Sequence, residues 1–470
     1  MTDKKGVRIE RDTMGPMEVP ESAYYGASTQ RAVLNFPISS LRFSRSFIRA
    51  LGLIKLAAAQ TNNDLGLLDK KTMDLIVQAA QEVADGKFDE HFVVDIFQTG
   101  SGTSTNMNAN EVIANRAAEH AGQSRGAKVV HPNDHVNKGQ SSNDVIPTAI
   151  HLAALMEIQG QLIPALEKLH KALAQKREQF KSTVKTGRTH LQDATPITLG
   201  QEFDGYAGQV ERAIKRAKVA MAELSEVALG GTAVGSGVNT HPEFSGRTCA
   251  KVSKLAGVTI TESTSHFQAQ STLDNAVMAS GCLRTIAVSL HKIANDIRLL
   301  GSGPRAGLGE LLLPEVQPGS SIMPGKVNPV IAEALIQVCA HVVASDIAVV
   351  QSGQWSFFEL NTMMPLAAHH LLQEISLLAT ASANFADQCV SGIQATEKGP
   401  QLVEQGLMLA TALVPVVGYD KAAAMAKHAA KTGQTIMQVA KEQTQLSDAE
   451  LRKILDPIEM TKPGAVGGSG

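Results

Sequence analysis

From Leu283 onward the apolar positions Ile286, Leu290, Ile293, Ile297 and Leu300 step by three and four, and the run stops at Gly301-Ser302-Gly303-Pro304. That spacing places one apolar stripe on a helix and predicts its end at the glycine-proline cluster. A second stretch, from about Ser142 to Phe180, sets Leu155, Leu162 and Leu169 seven apart, with Leu166 and Leu173 as a second row, which at 1.5 Å per residue predicts a rod roughly 50 Å long. Similar patterns occupy about 198–228, 329–352 and 364–390, giving five long helices. Aromatic residues make up only 4% of the chain and Ala, Leu, Ile and Val dominate these stretches, so helices are expected rather than sheets. Helices this poor in charge must bury more than one face, and one chain offers limited cover. The expectation is an all-α fold and a homo-oligomer with a helical core.

Around this block the chain divides by composition. Residues 1–141 read as short helices and loops marked by Pro, Gly and Asn, residues 142–396 as the long-helix domain, and residues 397–470, after Glu397-Lys398-Gly399-Pro400, as a smaller helical region ending in Gly-Gly-Ser-Gly. A length of 470 residues allows about three domains without disulfide staples. With 43 Lys and Arg against 45 Asp and Glu there is no excess of cations to neutralise a phosphate backbone, so no nucleic-acid partner is expected. Cys249, Cys282, Cys339 and Cys389 form no CxxC pair and read as buried thiols in a reducing compartment. The longest charge-free run, Val227 to Pro242, is broken by four glycines, and the N-terminus alternates charge without an apolar core. No membrane span, secretory leader or transit peptide is expected, and the chain reads as cytoplasmic.

The most informative loop is Gly319-Ser320-Ser321-Ile322-Met323-Pro324-Gly325-Lys326-Val327-Asn328-Pro329. It is not a nucleotide P-loop: five residues separate the glycines, Val327 stands where a metal-binding hydroxyl is needed, and no strand-like run precedes it. A loop of this composition leaves backbone N–H groups free beside the Lys326 ammonium, which suits a carboxylate or an oxyanion. It is also compatible with a surface turn bearing an exposed lysine. A serine hydroxyl is too weak a base to take a proton from carbon, so Ser320 can serve only where N–H groups and a cation favour its alkoxide.

This loop resembles the signature of the fumarase/aspartase superfamily, and Gly325-Lys326-Val327-Asn328 resembles that of its class II fumarases. The likeness extends to Gln98-Thr99-Gly100-Ser101-Gly102-Thr103 with Asn106-Met107-Asn108, to His131-Pro132-Asn133-Asp134, to Gln140-Ser141-Ser142-Asn143-Asp144, to Gly187-Arg188-Thr189-His190-Leu191-Gln192-Asp193, to Lys292-Ile293-Ala294-Asn295-Asp296 and to Phe358-Glu359-Leu360-Asn361. The resemblance implies an all-helical homotetramer with a twenty-helix core, smaller N- and C-terminal domains, and active sites each shared by three subunits. It implies reversible hydration of fumarate to (S)-malate without cofactor or metal.

On that resemblance Ser320 is the base at carbon and His190 the acid–base group acting through water at the hydroxyl, with Glu333 as the carboxylate paired to His190. Lys326 and Asn328 are the candidates to hold the aci-carboxylate. Ser101, Gly102, Thr103, Ser141, Ser142, Asn143, Thr189 and Ser321 supply further contacts to the two carboxylates. Ser142 and Asn143 also stand where a long helix begins, so a helix cap is the alternative reading. His131, Asn133 and Asp134 match a second anion position, although only Lys128 supplies a charge just before it; the alternative is a helix-start histidine in a polar loop. Aspartate ammonia-lyase is the rival activity. Aspartases have Thr where this chain has Ser142, Ala where it has Gly325, and usually no histidine at position 131. Trp355, in Gln354-Trp355-Ser356-Phe357, departs from the class II pattern and either shapes specificity or packs between helices. The small residues of the 319–328 loop predict a loop that orders on binding dicarboxylate.

Overall fold

The five periodic stretches fold as helices in the computed structural model, which describes residues 6–464 and so leaves the Gly-Gly-Ser-Gly tail outside the described residues. They are Ser142–Glu157, continued through a π-helical turn Ile158–Leu162 into Ile163–Gln179, then Leu199–Leu224, Asp274–Leu300, Val330–Gln354 and Met364–Gln388. Ile286, Leu290, Ile293 and Ile297 are fully buried, as are Leu162, Leu166, Leu169 and Leu173. The strands among the described residues form five two-stranded sheets, so the fold is all-α.

Packing divides the chain into two units, each assembled from separated stretches of sequence. One comprises the segment ending at Pro164, Ile214–Ala287 and Cys339–Thr380. Here helix Arg45–Asp64 packs against Lys70–Ala84, Ser142–Glu157 and Phe244–Ala256 and buries Phe47, Leu51 and Ile54. At twenty residues it is longer than the short helices expected before residue 141, because Lys55 and the Asn62-Asn63 pair interrupt its apolar pattern without interrupting the helix. Gly52 lets its neighbour approach: a Cβ there would lie 2.8 Å from the backbone nitrogen of Ala84.

The second unit comprises Ala165–Ala213, Val288–Val338 and the segment from Ala381 onward. An antiparallel hairpin, Val184–Thr189 with Gln192–Thr198, packs on helix Lys398–Gln405. The C-terminal helices close over a core of Val403, Leu413, Met425, Ile436, Val439 and Leu451.

Two helical stretches, Ser142–Gln179 and Val330–Gln354, are long and apolar enough to cross a membrane by length and composition alone. This differs from the expectation drawn from charge-free runs, since a span tolerates a few charges that such a run does not. In helix Val330–Gln354 only 33% of the apolar window is buried, leaving Val343 and Ile347 exposed. All four cysteines are free and buried, and burial pushes the thiols of Cys249, Cys339 and Cys389 up to about 12.

Helices Lys70–Ala84 and Thr103–His120 are joined by a forked ion pair. Arg116 Nε lies 2.6 Å from Glu82 Oε2 and Nη2 lies 3.1 Å from Oε1, with His120 Nε2 at 3.2 Å. The Arg116 guanidinium holds the Glu82 carboxyl down at about 2. A depressed carboxyl stabilises the fold above its unfolded pKa and loses that contribution as pH falls toward the folded value. Glu82→Gln is therefore expected to cost roughly 1–2 kcal/mol at pH 7 in denaturant titrations, discounted for partial exposure, with the gap from wild type narrowing as pH drops below about 4.5. A gap constant with pH would assign the loss to packing instead.

Candidate active site

The expected site residues fall in both units. In the second, the loop from Gly319 is closed by its own backbone: Gly319 N–H donates to Lys326 C=O at 2.8 Å, and Lys326 N–H to Met323 C=O at 3.2 Å. Gly319 is required for that closure, because a Cβ would lie 2.5 Å from the Lys326 carbonyl oxygen and 2.8 Å from Asn328 N. Gly325 adopts φ +79°, a left-handed turn suited to glycine.

Closure aims two donors at one oxygen. The Ile322 and Met323 N–H groups donate to Ser320 Oγ at 3.2 and 2.9 Å. Donors of this kind stabilise an alkoxide more than a neutral hydroxyl. At the other end of the loop Lys326 Nζ donates to Asn328 Oδ1 at 2.7 Å, and Asn328 Nδ2 to Gly319 C=O at 2.7 Å. The loop thus brings Ser320, Lys326 and Asn328 into one closed turn, with Ser321 exposed beside them. One wall of a cavity of about 890 Å³ is formed by Met323–Pro329, the other by Asn295–Leu299 and Leu311–Leu313.

His190 sits at the tip of the hairpin. Thr189 pairs with Gln192, so His190 and Leu191 are the whole turn, and both have positive φ, +56° and +60°. Two left-handed residues between paired strands are the hairpin turn that matches strand twist, and it usually recruits Asn and Gly. Holding it with His and Leu costs backbone energy and thrusts both side chains outward. Thr189 and His190 are exposed, and Glu333 lies in the first turn of helix Val330–Gln354. Neither the His190 nor the Glu333 side chain has a hydrogen-bond or ion-pair partner among the described residues. The expected pair is not made in the single chain.

In the first unit two helix N-termini present a chain of hydroxyls. Ser101 Oγ and Thr103 Oγ1 share a hydrogen bond at 2.7 Å, as do Thr103 Oγ1 and Ser142 Oγ at 2.7 Å, while Asn143 Nδ2 donates to Ala233 C=O at 2.8 Å. Gly102, at φ +70°, begins helix Thr103–His120 and has no room for a Cβ, which would lie 2.9 Å from Ile146. The cap of the second helix is Ser141: its Oγ accepts from Asn143 N–H at 3.2 Å and Asp144 accepts from Ser141 N–H at 2.9 Å, a capping box. Capping therefore does not occupy the Ser142 hydroxyl or the Asn143 amide. Hydroxyls gathered at two helix starts are groups able to hydrogen-bond a carboxylate.

Behind these donors lie two buried charges that sequence reasoning missed. Asp144, fully buried, accepts from Gly230 and Thr232 N–H at 3.0 Å each, and burial raises its carboxyl to about 6 despite those donors. Lys55, also fully buried, donates to Asn137 Oδ1 at 2.8 Å and Gln140 Oε1 at 3.0 Å, and burial lowers it to about 7. The available signal was a lone lysine inside Leu53-Ile54-Lys55-Leu56.

His131 acts as a helix-start residue. Its Nδ1 accepts from Asn133 and Asp134 N–H at 3.3 and 3.2 Å, capping the π-helical turn Pro132–Val136. A nitrogen that accepts in this way carries no proton, so its 3.2 Å approach to Asp134 Oδ2 is not a charged pair in that tautomer. His131 and Asn133 also line a cavity of about 330 Å³ with Glu10, Asp12 and Lys128, while the Asp134 side chain is largely exposed. Trp355 does not pack between helices of its own chain; it is 53% exposed, its ring centroid 6.0 Å from that of Phe357.

A family profile described as a lyase matches residues 15–344, and one described as the fumarase C C-terminus matches residues 409–462. The class II fumarate hydratase of Halobacterium salinarum is 55% identical over 462 residues, covering 98% of each chain. The chain belongs to the class II fumarate hydratase family. The human mitochondrial fumarate hydratase is 50% identical over 467 residues, 98% of this chain and 91% of its own. Among solved structures, the class II fumarase of Schistosoma mansoni superposes with a TM-score of 0.95 at 38% identity, covering 97% of this chain and 99% of its own. A cobalt-bound fumarate lyase:delta crystallin from Brucella melitensis superposes with a TM-score of 0.94 at 46% identity, covering 97% and 100%. The fold of this class II fumarate hydratase family member is thus the fumarase fold.

In this family member Gly319→Ala is expected to open the loop by forcing Lys326 C=O away. Limited proteolysis should cut within 319–328 several times faster than in wild type, while the melting temperature shifts by no more than about 2–4 °C because the loop is exposed. Unchanged cleavage would show that the closure does not hold the loop.

Proposed function

We propose that this chain catalyses the reversible hydration of fumarate to (S)-malate, with Ser320 as the base at carbon. The observation that carries this reading is the pair of N–H groups on Ser320 Oγ, within a loop that also presents Lys326 and Asn328. In the dehydration direction the Ser320 alkoxide takes the proton from the carbon next to one carboxylate. The C–H electron pair moves into that carboxylate, which becomes a doubly charged aci-carboxylate held by Lys326 and Asn328. Donors preorganised on such a charge are each worth about 10²–10³ in rate. The electron pair then returns to form the double bond as the C–O bond on the neighbouring carbon breaks. His190, through a bound water, protonates the departing hydroxide, a transfer worth typically about 10²–10⁴. Ser101, Thr103, Ser142, Asn143 and Thr189 orient the substrate carboxylates with neutral donors, which avoids burying further cations against a dianion.

We infer further that the working form is a homotetramer with sites shared by three subunits. The uncovered apolar face of helix Val330–Gln354 supports this, as do the His190 and Glu333 side chains left without partners in one chain. Glu333 of one subunit would then meet His190 of another and raise its basicity. All steps are assigned to side chains, so neither metal nor cofactor is called for, and neither nucleic acid nor membrane is a partner in this reading. Four buried thiols fit a reducing cytoplasm. Water rather than ammonia is the leaving group on the strength of Ser142, Gly325 and His131, where aspartases differ.

The test is ultraviolet absorbance of chelator-treated enzyme with fumarate, L-malate and L-aspartate in separate cuvettes. Fumarate absorbance should fall with fumarate, rise with malate and stay flat with aspartate. A rise from aspartate alone would make the chain an ammonia-lyase, and loss of malate turnover with the chelator would require a metal.

A further inference from the structure

We infer that Glu310 is a positioning residue for His190, fixing the hairpin that carries it; this rests on the reading of His190 as the oxygen-side acid–base group. Lys185 and Arg188 lie on the first strand of the hairpin, five and two residues before His190. Arg188 Nη2 donates to Glu310 Oε1 at 2.5 Å, and Lys185 Nζ lies 3.5 Å from Glu310 Oε2 and 3.1 Å from Glu202 Oε2. The side chains of Lys185 and Glu310 are 3% and 2% exposed, and those of Arg188 and Glu202 are 15% and 20% exposed. Two cations and two carboxylates thus meet in a largely buried cluster at the base of a turn whose tip is exposed.

Glu310 is itself tied down on both sides of its peptide. Its N–H donates to Leu300 C=O at 2.9 Å, and its C=O accepts from Thr396 N–H at 3.1 Å. It immediately precedes Leu311–Leu312, which pairs with Gln394–Ala395. The Gly319–Asn328 loop follows seven residues after that strand. One carboxylate therefore ties the His190 hairpin to the segment that leads into the Ser320 loop, all within a single packed unit.

A buried ionic cluster is a poor device for stability alone, since apolar residues of similar volume usually serve as well or better. What it supplies is direction. A two-residue turn built from His and Leu, without the usual Asn-Gly, has no intrinsic preference for its left-handed geometry, so its orientation must come from the strands beneath it. The hairpin ladder is already irregular between Thr186 and Arg188, where the register shifts. Beyond that shift Arg188 pairs with Asp193 and Thr189 with Gln192, so the short ladder that ends in the tip is tied to Glu310 through the Arg188 side chain. Proton transfer through a water tolerates little misplacement: an error of about 1 Å costs about 10²-fold.

The experiment is a double-mutant cycle in the full-length assembled protein, with Glu310→Gln and His190→Asn measured singly and together for fumarate hydration, and with size and melting temperature recorded for each. Glu310→Gln is expected to lower kcat by about 30- to 100-fold with KM within about threefold. In the His190→Asn background the same change should alter kcat by less than about twofold, because the group being positioned is gone. An equal loss in both backgrounds, or no loss in either, overturns the proposal and leaves Glu310 a purely structural residue. Near-normal turnover of His190→Asn alone overturns the role of His190 itself, and is read independently of the cycle. Should Glu310→Gln fail to assemble, Arg188→Gln removes the hairpin's contact nearest the tip while leaving Glu310 paired to Lys185 at the start of the strand, and the same pattern of loss is expected of it.

Discussion

Helix Val330–Gln354 carries more apolar surface than its own chain covers, and much of the molecule follows from that imbalance. Only a third of its apolar window is buried, yet Asp346 on the same helix is fully engaged with Ser280 at 2.7 Å and Arg284 at 2.6 Å. The helix is therefore specifically docked on one side and open on the other. The loop bearing Ser320 runs directly into its first turn, where Glu333 sits. The uncovered apolar face and the loop proposed to carry the reactive groups are one continuous piece of chain. Covering the one by association, as proposed, would complete the other.

The electrostatic layout suits a small dianion that gains a further charge. In the first unit hydroxyls cluster at two helix N-termini, and in the second the one cation of the 319–328 loop, Lys326, stands beside Asn328. Full charges otherwise lie behind the donors. Lys55 is satisfied by two side-chain amide oxygens and Asp144 by three backbone N–H groups, so Lys55 orients side chains and Asp144 fixes backbone. Charge held behind a layer of neutral donors orients them and need not be dehydrated again when ligand enters.

The long helices were legible because their signal is local: steps of three and four in Ala, Leu, Ile and Val survive whatever the chain packs against, as at Ile286 to Leu300. The 319–328 loop was legible for a similar reason, since Gly319, Ser320, Gly325 and Lys326 belong to one short segment that closes on itself. Other features depend on contacts that no local pattern encodes. The sequence offers Ser142 and Asn143 as caps, but the capping box with Asp144 falls on Ser141. The turn at His190 lacks the Asn-Gly that would announce it, because its geometry is imposed by the strands rather than by its own residues. Glu310 looks like any surface glutamate in Gly309-Glu310-Leu311 until Arg188, 122 residues away in sequence, and Lys185 are brought to it. Resemblance in motif reached further than periodicity in naming the family, which no spacing of apolar residues states.

The central claim is that the Ser320 oxygen takes the proton from carbon while other groups hold the substrate. Its most direct measurement is Ser320→Ala, comparing single-turnover hydration with calorimetric binding of a non-reacting dicarboxylate. The account predicts a fall in turnover of at least about 10³-fold with Kd changed by no more than about threefold, since the carboxylate donors remain in place. Turnover within about tenfold of wild type, or binding lost in parallel with turnover, would contradict it.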